Sequence, residues 1–197
     1  MLKRIFDILL AAVGILILLP VFLLVVAWIK FDSRGPAFYK QIRVGKDNRD
    51  FQLLKFRSMR IGSDKSGLLT IGGRDPRVTR SGYFIRKYKI DELPQLINVL
   101  IGDMSLVGPR PEVRKYVELY NADQRRVLLV KPGITDLASL EYFNENELLS
   151  QSTNPEETYI EVVMPHKLML NLKYIEQAGL ATDVQIILRT IKRIILR

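Results

Sequence analysis

The sequence predicts a mixed α/β protein, mostly helical, with an N-terminal re-entrant membrane helix, a small β-hairpin and a compact helical domain bearing interfacial amphipathic helices. Three observations predict it. Residues 8–29 carry no charge, and as a helix they meet the ~20 apolar residues that a bilayer core requires. Residues 37–44 and 51–59 are short strand-like runs on either side of a turn at 45–50. Beyond them, apolar residues recur at helical spacing almost to the end of the chain.

The first segment has basic residues on both flanks, Lys3 and Arg4 before it and Lys30 and Arg34 after it. A spanning helix with the first pair inside would leave a strongly basic remainder outside, against the positive-inside tendency. Pro20, in the middle of the run, removes one helical hydrogen bond. Together these predict a helix that enters, bends at Pro20 and returns, with both flanks cytoplasmic. The run is too long for a signal peptide and lacks a small-residue cleavage site. The turn-rich stretch DSRGP marks the exit. The chain therefore divides into 1–34, membrane helix and exit turn, and 35–197, a cytoplasmic domain with no second globular unit.

In the hairpin, Lys55 and Arg57 are two apart and share a face. Residues 61–82 hold Gly62, Gly67, Gly72, Gly73 and Gly82 among charges, and read as an irregular loop, either plain surface or a lid. No phosphate-loop or dinucleotide spacing is present.

The chain is organised around RKYKIDELPQLINVLIGDMSLVGPRPE, which runs from Arg86 to Glu112. Asp91 suits an N-cap and Pro94 a first turn, Leu93, Leu96, Ile97 and Leu100 keep helical spacing, and Gly102 suits the stop. Acidic residues at a helix start ordinarily complement its dipole. Here Arg86, Lys87 and Lys89 crowd the same place, and Arg110 stands between Pro109 and Pro111. A carboxylate among cations stays ionised, and a rigidly held arginine matches phosphate oxygens with two prongs. The set suits phosphoryl transfer, with Asp91 as nucleophile or metal ligand.

Composition narrows the chemistry. The net charge of +9 implies an anionic partner, whether lipid, nucleic acid or phosphorylated substrate. There is no cysteine and one histidine, His166, expected at the surface. Thiolate catalysis, disulfides and multi-histidine metal sites are excluded. What remains is carboxylates, basic groups, hydroxyls and an oxygen-liganded cation such as Mg²⁺.

Val113, Tyr116, Val117 and Tyr120 mark another amphipathic helix. Glu141, Glu145 and Glu147 read as a solvated helix face. Asn154-Pro155 starts a helix, Pro165 re-initiates it and Gly179 stops it. In residues 183–197, Val184, Ile187, Leu188, Ile191 and Ile194 or Ile195 form one face, and Arg189, Lys192, Arg193 and Arg197 lie on the other side. Such a helix suits the interface of an anionic bilayer.

The central stretch, with KFRSM and DPRVTR upstream and KPGIT downstream, resembles the signature of the bacterial sugar transferases, the small monotopic phosphoglycosyl transferases. The resemblance implies an enzyme of the bacterial inner membrane, its catalytic domain facing the cytoplasm. It would move a sugar-1-phosphate from a UDP-sugar (an N-acetylated hexosamine first, a hexose second) to polyprenol phosphate, initiating glycoconjugate synthesis. Asp91 would form a covalent phosphosugar intermediate in a ping-pong reaction. Mg²⁺ would sit near Asp91 and Glu92, with Glu92 as metal-positioning or acid–base partner, and Lys55, Arg86 and Arg110 would hold phosphate oxygens. Family members bend the membrane helix at a Ser-Pro pair; this chain has Leu19-Pro20. It also departs from the family over residues 136–147, where the family's phosphate-contacting arginine falls on Phe143 by counting. Either another cation fills that role or the region serves a different substrate subset. Two other functions fit the composition less well: a membrane-bound, Mg-dependent phosphohydrolase of nucleotide sugars, and a basic membrane- or nucleic-acid-binding module. Nucleic acid is disfavoured as a partner because the aromatics do not interleave with the basic residues.

Overall fold

The computed structural model describes residues 1–63 and 75–196. Helix α1 (Leu2–Asp32) is continuous through Pro20 and is, among the described residues, the one helix long and apolar enough to cross a membrane. Yet it is bound to the rest of the protein along its whole length. Lys3 donates to Asp183 and to the Val107 carbonyl, Arg4 to the carbonyls of Val99 and Leu100, and the buried Asp7 accepts from Ser105 Oγ and the Leu106 amide. Ala11, Phe22, Val25 and Ile29 are buried further along. At the far end Asp32 accepts from the amide and hydroxyl of Ser81. From Lys3 to Ala11 and from Phe22 to Asp32 these positions recur at helical spacing, and the step of eleven residues from Ala11 to Phe22 is about three turns, so they form one stripe. The opposite side, with Leu9, Leu16, Leu23, Leu24 and Phe31, is apolar and exposed.

The predicted hairpin is present as β1 (Phe38–Val44) and β2 (Asp50–Phe56), antiparallel, with Phe38 opposite Phe56 and Val44 opposite Asp50. Of the loop expected over 61–82, residues 64–74, and with them the question of a lid, lie outside the described residues. Its last residues differ from expectation: α2 (Arg80–Lys87) already begins there, capped by Thr79 Oγ1, which accepts from the Gly82 amide. Gly82 has no room for a side chain, since a Cβ would stand 1.9 Å from the Ser58 carbonyl oxygen.

The central helix also begins differently. Residues Ile90–Glu92 form a 3₁₀ turn entered through a left-handed Lys89, and α3 (Gln95–Ile101) starts only after Pro94. Asp91 therefore caps nothing, and its carboxylate is left for other work. Gly102 closes α3 in the left-handed region, as expected.

A second sheet went unpredicted. Strands β3 (Ser105–Val107) and β4 (Gly133–Thr135) pair in parallel, and each is too short to display an alternating pattern. Their pairing presses VGPRP against KPGIT so closely that a Cβ on Gly133 would stand 2.1 Å from the Gly108 nitrogen.

The helix expected after Pro111 is a single turn, α4 (Arg114–Val117), although Val113, Tyr116, Val117 and Tyr120 are buried together. Next come α5 (Leu137–Glu141), α6 (Glu145–Ser150) and α7 (Pro155–Thr158), the last capped by Asn154. Glu141 and Glu147 thus lie on different helices rather than one face. A π-helical segment (Tyr159–Val163) leads into α8 (Met164–Glu176), just where Pro165 supplies no amide to continue the ladder.

The last helix, α9 (Leu180–Ile195), follows Gly179. Most of the predicted apolar face stays together and exposed, and a further side of the helix, outside that face, is buried. Asp183 and Ile186 are buried against the domain, whereas Val184, Leu188, Ile191 and Ile195 are exposed. Thr190 Oγ1 lies 2.7 Å from Thr135 Oγ1, fixing α9 on β4.

Candidate active site

Asp91, Glu92, Lys55, Arg86 and Arg110 all line one cavity of about 1310 Å³. The structure thus brings together every residue the sequence proposed for it. Pro20 stands apart, inside α1.

Each side chain arrives by a local device. Lys55 projects from the penultimate position of β2, and Arg86 from the last turn of α2. Arg110 is held by its backbone: its amide donates to Asp136 Oδ2 at 3.1 Å, and Pro109 accepts from the Gly133 amide at 3.0 Å. Asp136 is fully buried and also caps α5 through the Ser139 amide. Flanking prolines and this bracing fix the arginine's approach.

The two adjacent carboxylates have opposite surroundings. Both oxygens of Glu92 are occupied, since Arg110 grips it with two N–H groups and Lys55 donates to it at 3.2 Å. Burial alone would push the Glu92 carboxyl up, but Arg110, Lys55 and Lys89 outweigh it and hold the group well below the usual glutamate range. Arg110 is pushed up in turn, by Glu92 first. The Asp91 carboxylate accepts no hydrogen bond from any other described residue. Burial pushes it above the usual aspartate value; Glu92 adds to the rise, while Lys55, Arg86 and Lys89 oppose it. Burial also lowers Lys55, with Glu92 opposing. The site therefore holds one carboxylate locked in ion pairs beside one that is buried, poorly solvated and unengaged.

Arg57, expected on the same strand face as Lys55 but lying just past the end of β2, does different work. It is buried and donates to the carbonyls of Ser33 and Arg34, tying the exit of α1 to the hairpin. Glu112, which ends the motif, is a structural carboxylate that accepts from Arg43, the Val113 amide and Tyr159 Oη. His166 is partly buried, its Nδ1 2.7 Å from Tyr142 Oη, rather than a surface residue. Sequence reasoning gave Asp136 no role, and only the pairing of β3 with β4 shows that it supports Arg110.

Among the described residues, no three or more carboxylates or histidines cluster as a metal cage. Mg²⁺ needs less, commonly one or two carboxylates with substrate phosphates and water. Asp91 fits that demand, being unengaged, and Glu92 fits it only by releasing Arg110 or Lys55.

Comparison with known proteins gives a coherent result. The family model for bacterial sugar transferases matches residues 1–197. The chain is 39% identical over 196 residues to UDP-N-acetylgalactosamine-undecaprenyl-phosphate N-acetylgalactosaminephosphotransferase of Aeromonas hydrophila, covering 98% of this chain and 43% of that protein. It is 34% identical over 195 residues to UDP-glucose:undecaprenyl-phosphate glucose-1-phosphate transferase of Escherichia coli K12, covering 97% of this chain and 39% of that protein. With exopolysaccharide production protein ExoY of Rhizobium meliloti it shares 34% identity over 211 residues, covering all of this chain and 86% of that protein. The chain thus spans less than half the length of the first two relatives.

Proposed function

The chain belongs to the bacterial sugar transferase family, and on that premise we propose that it is a membrane phosphoglycosyl transferase. It transfers a sugar-1-phosphate from a UDP-sugar to undecaprenyl phosphate. The observation that carries this reading is the unengaged, buried Asp91 beside an ion-paired Glu92–Arg110–Lys55 unit in one large cavity.

The chemistry follows from that asymmetry. An Asp91 oxygen attacks the sugar-linked phosphorus, the P–O bond of the diphosphate breaks, and UMP leaves. A phosphate oxygen of the polyprenol phosphate then attacks the same phosphorus and releases Asp91. Poor solvation makes Asp91 reactive once it is ionised, and Lys55, Arg86 and Lys89 favour that ionisation. Arg110 and Lys55, already oriented by Glu92, meet the phosphate oxygens without reorganising. Glu92 acts by positioning these two cations. Magnesium, when bound by Asp91 and substrate oxygens, would offset charge on the diphosphate. Relatives named for both N-acetylgalactosamine and glucose leave two donor readings, a UDP-N-acetylhexosamine first and UDP-glucose second.

Placement at the membrane follows the same logic, because one substrate is aqueous and the other lipid-bound. Both ends of α1 are hydrogen-bonded to one polar body, so a straight crossing would leave part of that body in hydrocarbon or tear the bonds apart. The exposed side of α1 and the exposed stripe of α9 enter a single leaflet, with the domain on the cytoplasmic face of the inner membrane. Single cysteines at Leu2 and Arg34 are expected to resist an impermeant thiol reagent in intact cells and to react after permeabilisation. Labelling of only one of them in intact cells would show a spanning helix.

The activity is tested with a panel of UDP-sugars and undecaprenyl phosphate, scored by UMP release. Acceptor-dependent release with at least one sugar supports the transferase. Free sugar phosphate without acceptor would instead support a phosphohydrolase, and no release with any sugar would reject both.

A further inference from the structure

Beside the cavity stand two further cations, Lys89 and Arg193; the reaction as described uses Lys89 only to favour ionisation of Asp91, and Arg193 not at all. Phe143 lines the cavity wall, and two basic groups stand over its ring: Lys89 Nζ at 5.6 Å and Arg193 Cζ at 5.5 Å from the centroid. Lys89 comes from the left-handed position that opens the Asp91 turn. Arg193 comes from α9, far along the chain. Its neighbours Thr190 and Ile194 also line the cavity, and Thr190 is tied to Thr135. α9 is therefore a wall of the active-site cavity as well as a helix with an exposed apolar stripe.

The cavity's ion-paired cations differ from this pair. Lys55 and Arg110 are ion-paired with Glu92, Arg43 with Glu112, and Lys167 with Glu145. Among the described residues, neither Lys89 nor Arg193 has a carboxylate within ion-pairing distance. Both rest on an aromatic face instead. Such a contact holds a guanidinium through its plane and leaves the N–H donors around its rim unspent. A charged, oriented donor set without an internal counter-ion is what a phosphate site requires.

We propose that Arg193, seated on Phe143 beside Lys89, is a substrate-contacting residue that binds a phosphate group of an incoming substrate. This rests on the transferase reading above. The phosphate has two sources in that reaction, the diphosphate of the UDP-sugar and the monoester of undecaprenyl phosphate, and their oxyanion chemistry is shared.

Steady-state kinetics of Arg193→Gln, Arg193→Lys and Lys192→Gln in the full-length, membrane-associated protein test the assignment, each substrate being varied in turn. Arg193 is exposed, so Gln does not threaten folding. Loss of a charge-assisted contact is expected to raise one KM by about tenfold or more, with kcat changed much less and with partial recovery in Arg193→Lys. A rise confined to the UDP-sugar places the contact on the diphosphate. A rise confined to undecaprenyl phosphate places it on the acceptor. Lys192→Gln removes the same charge from the same helix without touching the ring. If Arg193→Gln and Lys192→Gln alter both KM values equally, the residue serves only general attraction to the membrane and the proposal fails. It fails too if Arg193→Gln matches wild type. Wild-type acceptor-dependent UMP release in the same assay keeps either outcome distinct from failure of the transferase reading.

Discussion

The floor and the rim of the cavity treat their cations in opposite ways. At the floor, Arg110 and Lys55 are neutralised by Glu92 from within the protein. At the rim, Lys89 and Arg193 lie against Phe143, which has no charge to give them. A compensated cluster is rigid and part of the fold's own stability. An uncompensated one contributes little to folding and has its charge available to a ligand. The floor should therefore respond to mutation in stability as well as activity, and the rim in activity alone.

The largest stability effect is expected from breaking the floor. Glu92→Gln leaves Arg110 and Lys55 without their counter-ion and should cost about 3 kcal/mol, read as a lower denaturation midpoint, together with most of the activity. An unchanged midpoint would show that the ion pairs are too well solvated to matter. Next comes the support behind the floor. Asp7→Ala removes the buried acceptor of Ser105 Oγ and the Leu106 amide, on the strand leading to Arg110, and should cost about 2 kcal/mol. A wild-type midpoint would mean that α1 is only an anchor.

A smaller effect concerns Glu112, beside the floor. Burial pushes its carboxyl up, but Arg43, Lys167 and the bonds from Tyr159 and Val113 outweigh it and hold the group below the usual value of 4.5. A depressed folded-state value adds stability that is fully present above 4.5 and lost as pH falls through the folded value. Stability should therefore drop on acidification below about pH 4.5, and the drop should be shallower in Glu112→Gln, checked by denaturation midpoints across that range. The smallest effect belongs to the rim, where Arg193→Gln should change stability by less than about 0.5 kcal/mol. A loss comparable to that of Glu92→Gln would erase the distinction.

The same contrast explains what could be read in the sequence. The floor residues Asp91, Glu92 and Arg110 lie in one contiguous motif, and Lys55 in a strand whose alternation is visible, so their convergence was legible. Phe143 and Arg193 come from segments that no local pattern links. Only the docking of α9 through Ile186 and Thr190 brings them together. That docking uses a side of α9 outside its predicted apolar face and leaves most of that face exposed, because periodicity cannot distinguish a stripe that packs on protein from one that is left exposed. The Asp91 cap was misread for a related reason: a carboxylate before an apolar helix suits a cap in composition, but the left-handed Lys89 and the 3₁₀ turn carry it into the cavity instead.

The central claim is that Asp91 is unengaged because it is the nucleophile, and intact-protein mass spectrometry tests it most directly. Wild-type protein given a UDP-sugar that it turns over, without acceptor, should gain the mass of one phosphosugar, mapped to Asp91 and lost on adding undecaprenyl phosphate. Asp91→Asn should gain nothing and turn over at least about a thousandfold more slowly. Its midpoint should match or exceed wild type, because a carboxyl whose folded-state value is raised destabilises the fold when charged. An adduct on another residue, or substantial turnover by Asp91→Asn, would contradict the account.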